Sequence, residues 1–319
     1  MKSQEENRSY GTDRRERQLV SFDWAVKRLL RDKVNFEVLE GFLSELLIRE
    51  VKITSVLESE SNKVDAKDKY NRADIVVEDT SGEIILIELQ FILEIDYFQR
   101  MLFGVSKSIT DRMLRGYDYM NLKKIYSINI VYFDLGHGRG YAYHGRTDFR
   151  NMYDANDILE LSEKQRDIFG KIEAGDLYPE YYVLKINKFD DVAKTTLDEW
   201  IYFLKNDRIR DGFSAKGLMK AREVLDYLRL SPEDKTVYDY EQEAKSRYLS
   251  QIASAKDEGI WETTKKYAKV VEEQRRSLEE KDRSLEEKDK SLEEKDKENA
   301  KLKEQLAEMQ RLFRDKQYE

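Results

Sequence analysis

The chain of 319 residues contains no cysteine and only two histidines, His137 and His144. The missing cysteines exclude disulfides, thiol catalysis and iron–sulfur clusters, and so few histidines and no cysteine exclude the usual zinc sites. Any metal ion in this protein must therefore be held by oxygen atoms. Magnesium, manganese and calcium are the ions that prefer such ligands.

Long apolar stretches are also missing from the sequence. No run approaches the roughly 20 apolar residues that a membrane-spanning helix needs, and residues 1–17 are polar and charged, unlike a signal peptide. We therefore expect a cytoplasmic protein with no membrane contact, in which residues 1–20 are disordered.

The sequence also lacks an excess of positive charge, since its formal net charge is −8. The segment of residues 272–319 holds 16 acidic and 13 basic residues, so the rest of the chain is acidic as well. Nucleic-acid affinity depends largely on Lys and Arg that neutralise phosphates. Binding to DNA would therefore need a local basic stripe and a metal ion that adds positive charge at the phosphate.

Two β-branched runs around Gly82 predict a β-hairpin. Residues 72–79 and 83–90 flank a three-residue loop that ends in glycine, which is typical of a type I turn followed by a left-handed glycine. With Ser81 at the centre of the loop, Asp74 lies opposite Glu88, and Gln90 shares their face of the sheet. Two opposed carboxylates repel each other unless positive charge lies between them, which a divalent cation would supply.

Patterns elsewhere predict an α/β core. Apolar residues at helical spacing predict helices over residues 22–30, 36–47, 94–115 and 197–204. Apolar or alternating segments predict strands over residues 51–57, 125–133 and 181–186, and the glycines at 136, 138 and 140 indicate a hairpin turn. This order of elements is typical of a mixed sheet flanked by helices, which we expect to occupy residues 21–230.

Residues 231–319 predict a long helical tail with heptad repeats. The segment Ser277–Asp282 recurs after seven residues and again after fourteen, and position a of the heptads is occupied by Val271, Leu278, Leu285, Leu292, Asn299, Leu306 and Phe313. Lysines at three successive d positions weaken the seam, whereas a single Asn at position a selects register and a two-stranded state. The tail is either a weak parallel coiled coil that forms a homodimer or a single solvated helix held by Glu–Lys pairs.

Five sequence blocks together resemble the PD-(D/E)XK nuclease superfamily, and within it the bacterial recombination-promoting nuclease and transposase branch. The blocks are residues 22–30, 72–74, 87–90, 96–104 and 126–134. The resemblance implies a restriction-endonuclease-like core and a magnesium-dependent DNA endonuclease, with Mn²⁺ or Ca²⁺ as other possible ions. It also implies Asp74, Glu88 and the main-chain carbonyl of Leu89 as metal ligands, with Gln90 in the place of the motif lysine.

Further candidates lie on the predicted helices. Arg100 and Lys107 would contact phosphates. The alternative for both is an ordinary solvated helix face, which is favoured for Lys107. Glu40 would be a third carboxylate if its helix returns over the hairpin. Asp23 and Lys27 are explained by helix capping and an intrahelical pair. The alternative to a metal site is a structural cluster in which Asp74 pairs with Arg72 or with a helix lysine.

The resemblance leads us to expect a metal-dependent DNA endonuclease that hydrolyses phosphodiester bonds in recombination or transposition. Glutamine offers only a neutral amide dipole, so without the motif lysine the metal must supply most of the stabilisation of transition-state charge. The alternative is a catalytically inactive module that keeps the nuclease fold, binds nucleic acid or protein and dimerises through its coiled coil.

Overall fold

A computed structural model describes residues 19–57, 73–114, 116 and 118–315 of the chain. The predicted disorder of residues 1–18 and the position of Arg72 lie outside these residues. The chain divides into two compact units, with the boundary between Tyr240 and Glu241.

Seven α-helices, six β-strands and five short 3-10 helices make up the regular structure of the described residues. The helices are α1 Phe22–Arg28, α2 Phe36–Leu47, α3 Tyr97–Leu114, α4 Glu163–Phe169, α5 Thr196–Asn206, α6 Leu218–Val224 and α7 Pro232–Asp315. The strands are β1 Ile53–Val56, β2 Ile75–Asp79, β3 Ile84–Gln90, β4 Ile125–Val131, β5 Ala142–Gly145 and β6 Glu180–Lys185.

The six strands form one mixed sheet in the order β1-β2-β3-β4-β6-β5. The first three strands are antiparallel, β3, β4 and β6 run parallel, and β5 is antiparallel to β6. Every residue of β4 is buried, because this central strand is covered on both faces. The expected α/β fold, a mixed sheet flanked by helices and followed by a long C-terminal helix, is confirmed.

The glycine-rich segment at residues 136–140 is not the predicted hairpin turn. It leads from β4 to β5, yet β5 pairs with β6, and β6 lies between β5 and β4 in the sheet. The later strand β6 inserts beside β4 in parallel register. Local turn chemistry cannot reveal such an insertion, because it depends on chain that comes some 40 residues later.

Helices cover the sheet on both faces. On one face α1, α2 and α5 contribute an aromatic cluster of Phe22, Phe42, Trp200 and Phe203 with ring centroids 5.5–6.1 Å apart. On the other face α3 buries Tyr97, Met101 and Val105, as their four-residue spacing predicts.

The described chain begins with two residues that belong to the core. Leu19 and Val20 are both buried, and the Val20 amide donates a hydrogen bond of 2.8 Å to the Leu225 carbonyl. The expectation of disorder over residues 1–20 is therefore wrong for these two residues, which pack against the region after α6.

Helix α7 has a buried start and an exposed continuation. Tyr238 packs edge-to-face on Trp24 at 5.3 Å. Farther along, the heptad leucines Leu278, Leu285, Leu292 and Leu306 are 56–60% exposed in the single chain. No helix in the part of the chain described here is long and apolar enough to cross a membrane.

Candidate active site

The hairpin of β2 and β3 has the register that its sequence predicts. Ile75 faces Ile87 and Glu78 faces Ile84, so the pairs are centred on Ser81. Gly82 has a φ of 73° and donates its amide to the Asp79 carbonyl, which closes the predicted turn. Asp74 immediately precedes β2, so continuing this register places it opposite Glu88.

Asp74 is tied to the strand that carries Glu88. Its Oδ2 accepts a hydrogen bond of 2.7 Å from the Leu89 amide. The amide and carbonyl of one strand residue point to the same side, so the Leu89 carbonyl also lies on the side of Asp74. The hairpin therefore collects two carboxylates and one main-chain oxygen at one end of the sheet.

Burial disfavours the charged form of both carboxylates. Burial raises the pKa of Glu88 to about 7, opposed by the Arg100 guanidinium and reinforced by the negative charge of Asp74. Burial also raises the pKa of Asp74, although Lys27 and the Leu89 amide oppose it. The charge of Asp74 therefore adds to the cost of ionising Glu88, and the charge of Asp23 adds to the cost of ionising Asp74.

Arg100 lies beside Glu88 rather than in open solvent. Its Nη2 is 2.6 Å from Glu88 Oε1, and its Nη1 donates to both oxygens of Glu94 at 2.8 and 2.9 Å. Its side chain is 21% exposed.

The side-chain amide of Gln90 donates to Glu94 Oε1 at 2.8 Å and to the Ile92 carbonyl at 3.3 Å. Both N–H donors of Gln90 are thereby used, which leaves its carbonyl oxygen as an acceptor.

A family model described as PD-(D/E)XK nuclease family transposase matches residues 20–256, which is well over half of the chain. The chain belongs to this family. Membership supports a nuclease-type hydrolase function with DNA as substrate, and PD-(D/E)XK nucleases generally use divalent metal ions. Neither a search of curated proteins nor a search of solved structures finds a match.

The structure of this PD-(D/E)XK family member does not bring Glu40 to the carboxylate pair. Glu40 accepts hydrogen bonds from Lys52 Nζ at 2.8 Å and from the Ile53 amide at 2.9 Å. Ile53 faces Asp79, at the end of β2 opposite to Asp74. Glu40 therefore joins α2 to β1, at the end of the sheet away from Asp74.

Of the two expected phosphate ligands, only Arg100 is adjacent to the pair, and it binds carboxylates there. Lys107 lies two helical turns beyond Arg100, about 10 Å farther along α3. The structure therefore does not group Lys107 with Asp74 and Glu88.

Two cations that the sequence did not assign to the site are found beside Asp74. Lys27 Nζ lies 2.7 Å from Asp23 Oδ1, which confirms the intrahelical pair, and also 3.7 Å from Asp74 Oδ1. Arg31 Nη2 donates a hydrogen bond of 2.7 Å to the Asp74 carbonyl. The sequence contained one signal for these contacts, the alternative that Asp74 pairs with a helix lysine. Local patterns could not identify which lysine, because α1 and the hairpin are some 40 positions apart in the chain.

The donor set fits a hard divalent ion of this nuclease family. Within the described ranges no three His, Cys, Asp or Glu side chains form a cluster that could hold a metal. Magnesium, however, is commonly held by one or two carboxylates while it keeps several waters. Glu88 Oε1 is a buried oxygen that receives no well-aligned hydrogen bond, despite its ion pair with Arg100. Two carboxylates and the Leu89 carbonyl therefore suit such an ion.

Proposed function

We propose that this protein is a divalent-metal-dependent endonuclease that hydrolyses phosphodiester bonds of DNA in recombination or transposition. The observation that carries the proposal is the hairpin register, which brings Asp74 opposite Glu88, with Asp74 bonded to the Leu89 amide, in a chain of the PD-(D/E)XK family. Asp74 and Glu88 would be catalytic, with Gln90 beside them.

In the proposed reaction a water oxygen bonds to phosphorus, one P–O ester bond breaks, and the departing oxygen takes a proton. Asp74, Glu88 and the Leu89 carbonyl would hold the ion, which supplies positive charge at the phosphate and lowers the pKa of water. The carbonyl oxygen of Gln90, whose amide N–H groups bind Glu94 and Ile92, would accept a hydrogen bond from the attacking water. Magnesium is the proposed ion, because it combines oxygen ligands with retained waters, and Mn²⁺ or Ca²⁺ would bind the same donors.

A plasmid-cleavage assay tests the proposal. Supercoiled plasmid is incubated with the full chain and Mg²⁺, Mn²⁺ or Ca²⁺, and nicked and linear products are quantified. We expect cleavage by the wild type that requires a divalent ion and is lost in Glu88→Ala. Glu78→Ala is the matched control, because Glu78 is a half-buried carboxylate on the same hairpin, about 13 Å along β2 from Asp74. Equal cleavage by the wild type and Glu88→Ala would refute the proposal.

The second candidate is a non-catalytic module of this fold that binds nucleic acid or protein. Two ion pairs favour it, because Lys27 beside Asp74 and Arg100 beside Glu88 already provide positive charge for the carboxylates. The net charge of −8 favours it as well. Calorimetry separates the candidates: an enzyme-like site binds Mg²⁺ or Ca²⁺ in the wild type and not in Asp74→Ala. A structural cluster shows loss of stability in Asp74→Ala and no difference in binding.

We also propose that the tail forms a parallel homodimer. The heptad leucines of α7 are more than half exposed in the single chain, and pairing would bury them. Position e of three heptads is aspartate, at Asp282, Asp289 and Asp296, and position g is serine at Ser284 and Ser291. An antiparallel pair would oppose aspartates, whereas a parallel pair opposes aspartate and serine, so charge favours the parallel arrangement. Sedimentation equilibrium of the full chain over a range of concentrations tests this, and a chain that stays monomeric at the highest concentration would contradict it.

A further inference from the structure

The position of the motif lysine is occupied by Gln90, so any side-chain charge that acts at the phosphate together with the metal must come from another residue. Three cationic side chains contact Asp74 or Glu88, namely Lys27, Arg31 and Arg100. Their contacts differ, and the difference indicates which of them faces an incoming DNA strand.

Arg100 and Arg31 are held by groups of the protein itself. Arg100 makes a short ion pair with Glu88 and two hydrogen bonds with Glu94, and four fifths of its side chain is covered. Arg31 donates to the main-chain carbonyl of Asp74 and so holds the bend that precedes β2. A guanidinium used in this way positions the carboxylates.

Lys27 is more exposed than Arg100 and, unlike the exposed Arg31, it contacts the carboxylate of Asp74. Its side chain is 47% exposed, and its Nζ is 3.7 Å from Asp74 Oδ1, a longer contact than the 2.7 Å to Asp23. The ammonium therefore lies at the solvent side of the carboxylate pair. Its platform is rigid, because Phe22, Trp24, Ala25 and Val26 of the short helix α1 are buried.

We infer that Lys27 is the cationic catalytic residue of this site and contacts the phosphate that is cleaved, in the place of the lysine missing at position 90. This inference rests on the proposed nuclease function. Asp23 is then a positioning residue, because its carboxylate holds the ammonium over Asp74. A lysine is suited to this task because its ammonium is a compact point charge on a flexible stem that reaches past the edge of a helix.

Single-turnover plasmid cleavage and magnesium calorimetry together test the inference. Removing one donor that stabilises transition-state charge typically costs about 100-fold in rate, so Lys27→Met should slow cleavage by about that factor while Mg²⁺ binding is retained. Lys33→Met, an exposed cation five residues after the carboxyl-terminal end of α1, should cleave like the wild type. The double variant Lys27→Met with Gln90→Lys should regain at least tenfold of the lost rate, because the charge returns from the hairpin side.

Several outcomes would overturn the inference. It is wrong if Lys27→Met cleaves within threefold of the wild type, if Arg31→Met loses more activity than Lys27→Met, or if Lys27→Met loses Mg²⁺ binding together with cleavage. It is also wrong if Gln90→Lys alone is active but gives no rescue in the Lys27→Met background. A wild type that neither binds Mg²⁺ nor cleaves DNA would instead refute the proposed function, and Lys27 would then be part of a structural cluster. Circular dichroism of each variant verifies that it is folded.

Discussion

Each of the two facing carboxylates lies beside a cation, Asp74 beside Lys27 and Glu88 beside Arg100. These ion pairs reduce the cost of burying negative charge, but they do not remove it. Burial still raises the pKa of Glu88 to about 7, against the opposing effect of Arg100. A metal ion that binds here must therefore displace a proton from Glu88 and compete with Arg100 for its oxygen.

Metal affinity is consequently expected to depend on pH. The pKa of Glu88 is raised in the folded protein, so Glu88 is mostly protonated below pH 7 and mostly ionised above it. Because only the ionised carboxylate is a ligand, Mg²⁺ should bind about tenfold more weakly at pH 6 than at pH 8. Calorimetry at the two pH values measures this, with Asp74→Ala as the non-binding control. Equal affinities at both pH values would contradict the prediction.

Removing Arg100 should destabilise the fold, because Glu88 would be left buried without its cation. Breaking a fully buried pair costs about 3–5 kcal/mol. Glu88 and Arg100 keep 14% and 21% exposure, so we expect about 1–3 kcal/mol for Arg100→Met. Chemical denaturation at pH 8 measures the loss. The neutral double variant Arg100→Met with Glu88→Gln should recover most of it, and a double variant no more stable than the single one would argue against an ion-pair origin.

Secondary-structure elements were predictable to the extent that their signals are local. The hairpin follows from alternating β-branched residues and a loop that ends in Gly82, and α2 was predicted with its observed bounds. Helices α4 and α6 were not predicted, since they carry little periodic signal. The path from β4 to β5 was also missed, because it depends on the later insertion of β6.

Two glycines inside helices differ in the space around them, because one lies against a neighbouring element and the other does not. A Cβ on Gly41 of α2 would lie 2.3 Å from the Lys216 carbonyl oxygen and 2.6 Å from Gly217 Cα, whereas a Cβ on Gly104 of α3 would meet nothing within 4 Å. Gly41→Ala should therefore destabilise the protein by about 1–3 kcal/mol, as overpacking does. Gly104→Ala should stabilise it by about 0.5–1 kcal/mol through helix propensity.

Thermal or urea denaturation of the two glycine variants side by side measures these opposite shifts. Each variant is the control for the other, since both change glycine to alanine inside a helix. A destabilised Gly104→Ala, or a Gly41→Ala as stable as the wild type, would show that the space around these positions differs from the one described.

For the molecule as a whole, the exposed apolar row on α7 points to self-association. The row is thin, since lysines occupy three successive d positions, at Lys281, Lys288 and Lys295. A dimer of this kind should be weak and should depend on concentration. It would bring two hydrolytic sites into one complex.

Truncation of the tail is expected to change the products of cleavage. A chain that ends before Val271 lacks the heptads, so each site should act alone and plasmid should be nicked rather than linearised. Product analysis on agarose gels, with sedimentation to establish the oligomeric state, measures this. Unchanged double-strand cutting by a monomeric truncated chain would reject a role for dimerisation. A full-length variant with Leu278, Leu285 and Leu292 changed to serine is the matched control and should behave like the truncated chain.

The sequence by itself determined the pairing of Asp74 with Glu88 and the heptad pattern of the tail. Both depend on interactions between residues close in the chain, namely a period of two around a short loop and a period of seven along one helix. Only the tertiary structure decided that Lys27 reaches Asp74, that Arg100 binds Glu88 and that Glu40 does not join them. These contacts depend on how distant helices pack over the sheet, which is set by the shape of the whole core.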